Sequence, residues 1–375
     1  MKKETFIIVV TKASYFFSHR LTLAKEASKK YKIVVLCDAK NYENKFIEEN
    51  IDFIHLPFQR DFSNIINEIQ TIYKITRVFW NLKPKQVHLV SLKPILYGSL
   101  SLRISPAKNS VNAYTGLGHL FISKTKKAKF MKNILIFGLK LWAQGKNIKN
   151  LVQNEDDFFL IKNLLKKSQC IKQPGVGVDL SNFRKITDKK YKHFSNENPM
   201  KVLLPARMLK TKGVDVFIES AKKAKNIPVE FILAGPYDPC NPDHIKLSEL
   251  ENFQTLNNCT WLGNKNNMVD LYNNCDLVVL LSHREGCPKS LLEAMSCGKA
   301  IITTNVPGCI DLLCKDRKNV MIINHESTLE FIDALNYFLK KPSELNRMGT
   351  ENASIAKKKY DSLKIAKETI EMHEI

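Results

Sequence analysis

Nowhere does this 375-residue chain hold about 18 uninterrupted apolar residues, the least that crosses a bilayer as a helix, so any membrane contact is expected to be peripheral. It has no C-x2-C pair either. Its nine cysteines are odd in number and scattered from Cys37 to Cys314, a pattern of neither a disulfide framework nor a zinc site, and a reducing cytoplasm is the default. No Asp-x-Asp occurs, so a divalent metal held by such a pair is not indicated. No small-residue cleavage site follows the opening MKKETFIIVVT, whose apolar run reads as a first buried strand rather than a signal peptide. Negative charge is scarce: 37 Asp+Glu stand against 58 Lys+Arg, a net charge of +21. That balance favours an anionic partner, whether nucleic acid, an anionic membrane surface or a phosphorylated substrate. A nucleic-acid binder would show a steep salt slope, but the lysines are spread along the chain and no known nucleic-acid module is present, so no nucleic acid is expected.

What is present suggests two domains, since 375 residues at 44% hydrophobic composition exceed one typical core. Strand-like runs at Phe6 to Val10, Lys32 to Cys37, Asp52 to Pro57, Gln86 to Ser91 and Val111 to Thr115 alternate with helical patterns. This predicts an α/β fold with mostly parallel, doubly wound sheets, whose ligands bind beyond the carboxyl ends of the strands. Pro174, Gly175 and Gly177 break the pattern ahead of a polar run, Lys185 to Asn198, which places a linker here. The boundaries expected are 1–172, a linker at 173–198, a second domain at 199–355, and a last helix at 356–375.

The second half opens with KVLLPARMLKTKG, in which a strand ending at Ala206 delivers Arg207 and Lys212 into a loop ahead of a helix, a geometry suited to a diphosphate. Further strands are expected at Val229 to Gly235 and Cys259 to Gly263, with a helix at Met268 to Asp276. The runs LVVLLS and AIITT then flank SHREGCPKSLLEAMSCG. Pro288 suits the first helical turn and Gly298 the residue past its end. The helix N-terminus, with Lys289 and Arg284, makes an anion site, and Glu285 and Glu293 could flank the same end of the sheet. Two plainer readings coexist: Ser290-x-x-Glu293 is also a capping-box pattern, and Glu285 could be a solvated loop carboxylate.

Glu285 and Glu293, set in REGCPKSLLEAMSCGKAIITTNVPG, resemble the E-x7-E signature of family 4 retaining glycosyltransferases. The resemblance implies the GT-B architecture, two Rossmann-like domains facing across a cleft, with the last helix crossing back to the first domain. It makes Arg207 and Lys212 the neutralisers of the donor's leaving group and Glu285 a partner of a donor-sugar hydroxyl. Together with Gly235, Gly286, Cys287, Pro288, Lys289, Ser290, Leu291 and the ribose-binding Glu293, they form the expected donor site, without metal. The Phe16 to Leu21 run FFSHRL resembles capsule and O-antigen members, which makes His19 and Arg20 acceptor-site or diphosphate-site candidates. Gly116, Gly118 and His119 would border the cleft. The double-glycine turn that many members carry after the first strand is absent.

The activity implied is retaining transfer of a hexose or N-acetylhexosamine from a nucleotide-diphosphate sugar to a glycan acceptor, a polyprenyl-diphosphate-linked one, at the inner face of the cell membrane. A catalytically silent membrane-peripheral partner and a nucleotide-sugar epimerase are the alternatives. The lysine-rich segment Lys124 to Lys149 fits both a helix lying on an anionic membrane surface and one whose apolar stripe faces the core.

Overall fold

The computed structural model describes residues 3–58, 64–117, 126–186, 193–312 and 318–374. The chain divides into two units, Met1–Val176 with Ser362–Ile375, and Gly177–Asp361.

The first unit is built on strands β1 (Thr5–Lys12), β2 (Lys32–Asp38), β3 (Asp52–His55), β4 (Gln86–Val90), β5 (Ser110–Ala113), β6 (Ile148–Val152) and β7 (Gln169–Lys172). They form one parallel sheet in the order β3-β2-β1-β4-β5-β6-β7. Strand β1 explains why both faces are covered. Phe6, Ile8 and Val10 enter one apolar layer while Ile7 and Val9 enter the opposite one, the period of two that a pleated strand imposes. Helices Ile65–Leu82, Leu92–Arg103 and Lys126–Trp142 supply the second of these layers, with Ile75, Phe79, Leu135 and Leu139. Helix starts follow local chemistry: the Asn64 side chain accepts from the Ile66 and Asn67 amides, and Asn154 from the Asp157 amide at 2.8 Å.

The C-terminal helix Ser362–Glu374 belongs to this unit. Ala366 and Ile370 pack in the layer that contains Phe6 and Ala24, the Gln173 amide donates to the Ile365 carbonyl at 3.3 Å, and Lys30 pairs with Glu374 at 3.0 Å.

The second unit carries β8 (Met200–Pro205), β9 (Val229–Ala234), β10 (Cys259–Trp261), β11 (Leu277–Leu280), β12 (Ala300–Thr304) and β13 (Met321–Ile323), parallel and in the order β10-β9-β8-β11-β12-β13. Strand order runs outward one way from β8 and the other way from β11. The gap between their carboxyl ends is therefore the topological switch point, the usual ligand position of a doubly wound sheet.

Three differences from the expected pattern have physical causes. Strands β7 and β13 are additional to the expected set: β7 (QCIK) is a partly covered edge strand without an apolar run, and the apolar β13 (MII) has only three residues, shorter than a typical strand. The last helix, expected at 356–375, starts only at Ser362: a preceding helix, Ser343–Lys359, ends where the Tyr360 carbonyl accepts from the Val178 amide at 2.7 Å. In the lysine-rich helix Lys126–Trp142, Leu135 and Leu139 are buried while Phe130, Ile134, Phe137 and Leu141 stand exposed, so one helix carries two apolar faces.

Candidate active site

The loops after β8 and β11 meet at the switch point. Arg207 leaves the first of these loops, and Lys212 ends a short 3-10 turn, Lys210–Lys212, ahead of the helix Val214–Lys223. The His283 amide donates to the Thr211 carbonyl at 3.1 Å, tying the two loops together.

Glu285 is the centre of this arrangement. Its Oε1 accepts from Lys212 Nζ at 2.5 Å and from Ser282 Oγ at 2.6 Å, and its side chain is only 12% exposed. This is no solvated loop carboxylate. Its backbone is fixed as well: the Glu285 amide donates to the Pro307 carbonyl at 3.1 Å. Gly308 makes that approach feasible, since at φ +83° a Cβ there would lie 2.5 Å from the Glu285 carbonyl oxygen.

The helix Lys289–Ser296 starts one residue later than expected, with Pro288 at the capping position and no side-chain cap, so Ser290 and Glu293 do not form a capping box. Glu293 instead accepts from the buried Tyr272 hydroxyl at 3.0 Å and pairs with Lys289 at 3.2 Å. Burial raises the Glu293 carboxyl above its ordinary range despite Lys289, and raises the Tyr272 phenol further. The Leu291 amide donates to the Pro288 carbonyl at 3.0 Å, so this amide, expected to face an anion, is already satisfied. Ser290 lies in the first turn of the same helix. Gly286 and Cys287 link Glu285 to this helix, and burial beside Asp311 raises the Cys287 thiol, which keeps it protonated.

Arg207 is half-exposed and lies 3.4 Å from Asp238. Gly235 ends β9 beside it: a Cβ on Gly235 would fall 1.8 Å from the Ala206 carbonyl oxygen, so only glycine allows these two strand ends to close up. Sequence reasoning missed Ser282, Tyr272 and Asp238, the residues that orient Glu285, Glu293 and Arg207. Ser282 sits three residues from Glu285, whereas Tyr272 and Asp238 carry no local signal, because tertiary contact alone brings them in.

The remaining candidates lie in the first unit. His19 ends the helix Ala13–His19, stacked on Tyr15 with ring centres 4.2 Å apart. Arg20 follows it and is buried. Gly116 comes after β5 with φ +99°, while Gly118 and His119 lie outside the described residues.

Two family models match, one per half: residues 7–146 fit the family described as glycosyl transferase 4-like, and residues 185–354 fit glycosyl transferases group 1. Both halves thus match glycosyltransferase families, and the chain is a glycosyltransferase. This glycosyltransferase is 28% identical over 292 residues to the N,N'-diacetylbacillosaminyl-diphospho-undecaprenol alpha-1,3-N-acetylgalactosaminyltransferase of Campylobacter jejuni, a match spanning 76% of each chain. It is 23% identical over 317 residues to the UDP-Gal:alpha-D-GlcNAc-diphosphoundecaprenol alpha-1,3-galactosyltransferase of Escherichia coli, covering 82% of this chain and 80% of that one. In fold it superposes on sucrose-phosphate synthase from Thermosynechococcus elongatus with a TM-score of 0.81 at 14% identity, over 99% of this chain and 98% of that one. Both parallel-sheet units are thus the Rossmann-like halves of a GT-B glycosyltransferase. Among the described residues no helix is long and apolar enough to cross a membrane.

Proposed function

We propose that this glycosyltransferase moves a hexose or N-acetylhexosamine from a nucleotide-diphosphate sugar to a polyprenyl-diphosphate-linked glycan, with retention of anomeric configuration. The observation that carries the reading is the Lys212–Glu285–Ser282 cluster at the switch point of the second unit. Here a cation and a carboxylate are held at one end of the sheet by hydrogen bonds from two loops. Arg207 and Lys212 neutralise the leaving diphosphate, whose charge builds in the transition state, and one such preorganised group is typically worth about 3–4 kcal/mol. The two cations take the part that a metal ion plays elsewhere, so the transfer runs without one. Glu285 orients a donor-sugar hydroxyl, and binding exchanges part of its contact with Lys212 for substrate. Glu293, held by Tyr272, accepts from the nucleotide ribose. Retention follows from same-face attack, with the departing phosphate oxygen taking the acceptor proton while the cations hold it.

The relatives from Campylobacter jejuni and Escherichia coli, both named for diphospho-undecaprenol-linked substrates, support a lipid-linked acceptor. An acceptor of this kind lies at a membrane surface. The exposed Phe130, Ile134, Phe137 and Leu141, on a helix that also carries exposed Lys129 and Lys140, form a surface suited to anionic lipid. Each lysine near such a surface adds about 1 kcal/mol of attraction.

The test is a thermal-shift screen against nucleotide sugars with Arg207→Ala and Glu293→Ala as controls, followed by transfer to a prenyl-diphosphate glycan with anionic vesicles present. A shift for one donor, lost in both variants, and product formed on the lipid-linked acceptor are expected. Transfer to soluble sugars alone would overturn the acceptor assignment, and conversion of the donor without any acceptor would indicate an epimerase.

A further inference from the structure

A cavity in the first unit opens at the carboxyl ends of β5 and β6, between the start of the helix Leu21–Ala27 and the C-terminal helix. Arg20, His88, Gln153, Gln173 and Gly175 are among the residues that line it, and among the described residues no Asp or Glu does. Its volume of about 30 Å³, against the roughly 10–15 Å³ that one water needs, admits two or three oxygen-sized groups.

Arg20 is only 5% exposed here, and among the described residues its guanidinium makes one hydrogen bond, from Nη1 to the His19 carbonyl at 3.3 Å. Its Nε has no acceptor among the described residues. An arginine cannot shed its proton to escape burial, so a buried guanidinium needs a counter-charge, and the described residues of the cavity wall supply none. His88, 1% exposed, also has its Nε2 without a partner, while its Nδ1 lies 3.2 Å from His373 Nε2. Burial and the nearby Arg20 charge keep the His88 ring neutral. If His373 Nε2–H donates to His88 Nδ1, the proton of His88 sits on Nε2, which gives the site a second donor beside the guanidinium.

We infer that this cavity binds a phosphoryl group, with Arg20 Nε and His88 Nε2 as donors. A guanidinium fork matches phosphoryl oxygens, and the room available matches two or three of them. The group comes either from free phosphate or from the diphosphate of a lipid-linked acceptor; the second source rests on the function proposed above.

The experiment titrates the purified full-length protein with inorganic phosphate and pyrophosphate, balanced with chloride at constant ionic strength. Melting temperature and phosphorus NMR linewidth are read for the native protein, Arg20→Met and His88→Leu. The native protein is expected to melt higher with phosphate or pyrophosphate. Arg20→Met should melt in chloride no lower than the native protein, because an uncompensated buried charge has gone, and should bind phosphate about tenfold more weakly or worse. A lack of response in the native protein, or an equal response in Arg20→Met, overturns the site. So does an Arg20→Met protein that melts several degrees lower in chloride, which would make Arg20 a packing element. Should Arg20→Met fail to fold, His88→Leu, which removes the second donor, decides: weaker phosphate binding upholds the site and unchanged binding overturns it. A second arm measures the KM for a short-chain prenyl-diphosphate glycan. A raised KM in the variant with competition by pyrophosphate assigns the group to the acceptor, and an unchanged KM beside native phosphate binding assigns it to free phosphate. The titration needs no turnover, so failure of the glycosyl-transfer reading leaves it interpretable.

Discussion

Replacing Lys212 with Met separates two roles that the geometry gives one side chain. Lys212 Nζ lies 2.5 Å from Glu285 Oε1, with side chains 23% and 12% exposed, so the pair is neither a surface nor a fully buried one. Exposed pairs contribute up to about 1 kcal/mol and breaking a buried pair costs about 3–5 kcal/mol. Screening at this exposure, and the Ser282 hydroxyl that still donates to Glu285, bring the expected loss to about 1–2 kcal/mol. For a unit of this size that corresponds to a fall of roughly 2–8 °C in melting temperature. The catalytic loss should be much larger, because a preorganised charge at the leaving group is worth about 10²–10³ in kcat. The assay follows nucleotide release at saturating donor and acceptor, well below the variant's melting temperature. Lys212→Arg should recover part of kcat, since it keeps the charge. A Lys212→Met protein that melts lower as expected yet retains kcat within about threefold would refute charge neutralisation by Lys212. Its role would then be confined to holding Glu285.

Four further outcomes are expected. Gly308→Ala forces a Cβ to 2.5 Å from the Glu285 carbonyl oxygen in a left-handed conformation, and should cost at least about 2 kcal/mol of stability together with activity; an unchanged urea midpoint would contradict this. Glu293 has a folded pKa raised by burial, so the folded state holds its proton longer than the unfolded chain, and stability falls as pH rises through that window. Glu293→Gln should flatten this slope and still weaken the donor-induced thermal shift, and a steeper slope would refute the assignment. His373 is held neutral by burial, with a pKa lowered to about 3, so the unfolded chain takes up a proton first and stability drops as pH falls below the ordinary histidine value; the midpoint measured from pH 7 down to pH 4 should fall less in His373→Gln. Phe130→Ser with Phe137→Ser should reduce co-sedimentation with anionic vesicles while leaving the melting temperature nearly unchanged, since both side chains are exposed.

Much of this glycosyltransferase was legible because a parallel sheet covered on both faces demands continuous apolar strands. The runs around β1, β2, β4, β9, β11 and β12 carry that demand in their residues, and the signature from Glu285 to Glu293 lies on one strand-loop-helix unit, where local spacing fixes geometry. Edge strand β7 lacks the pattern because partial exposure relaxes it, and β13, though apolar, is too short at three residues to stand out along the chain. The break near Tyr360 is made by a backbone contact to Val178, and nothing local announces it.

Periodicity and short motifs, read along the chain, carry the fold class, the family resemblance and the residue types at the second unit's switch point. Which of them touch is a matter of packing. Packing pairs Lys212 with Glu285, gives Glu293 to Tyr272 instead of a helix cap, and buries Arg20 in a cavity that no carboxylate among the described residues lines. Hydrogen-bond partners and burial are set by residues tens or hundreds of positions apart, and it is the packing of strands and loops that brings those distances down to a few ångströms.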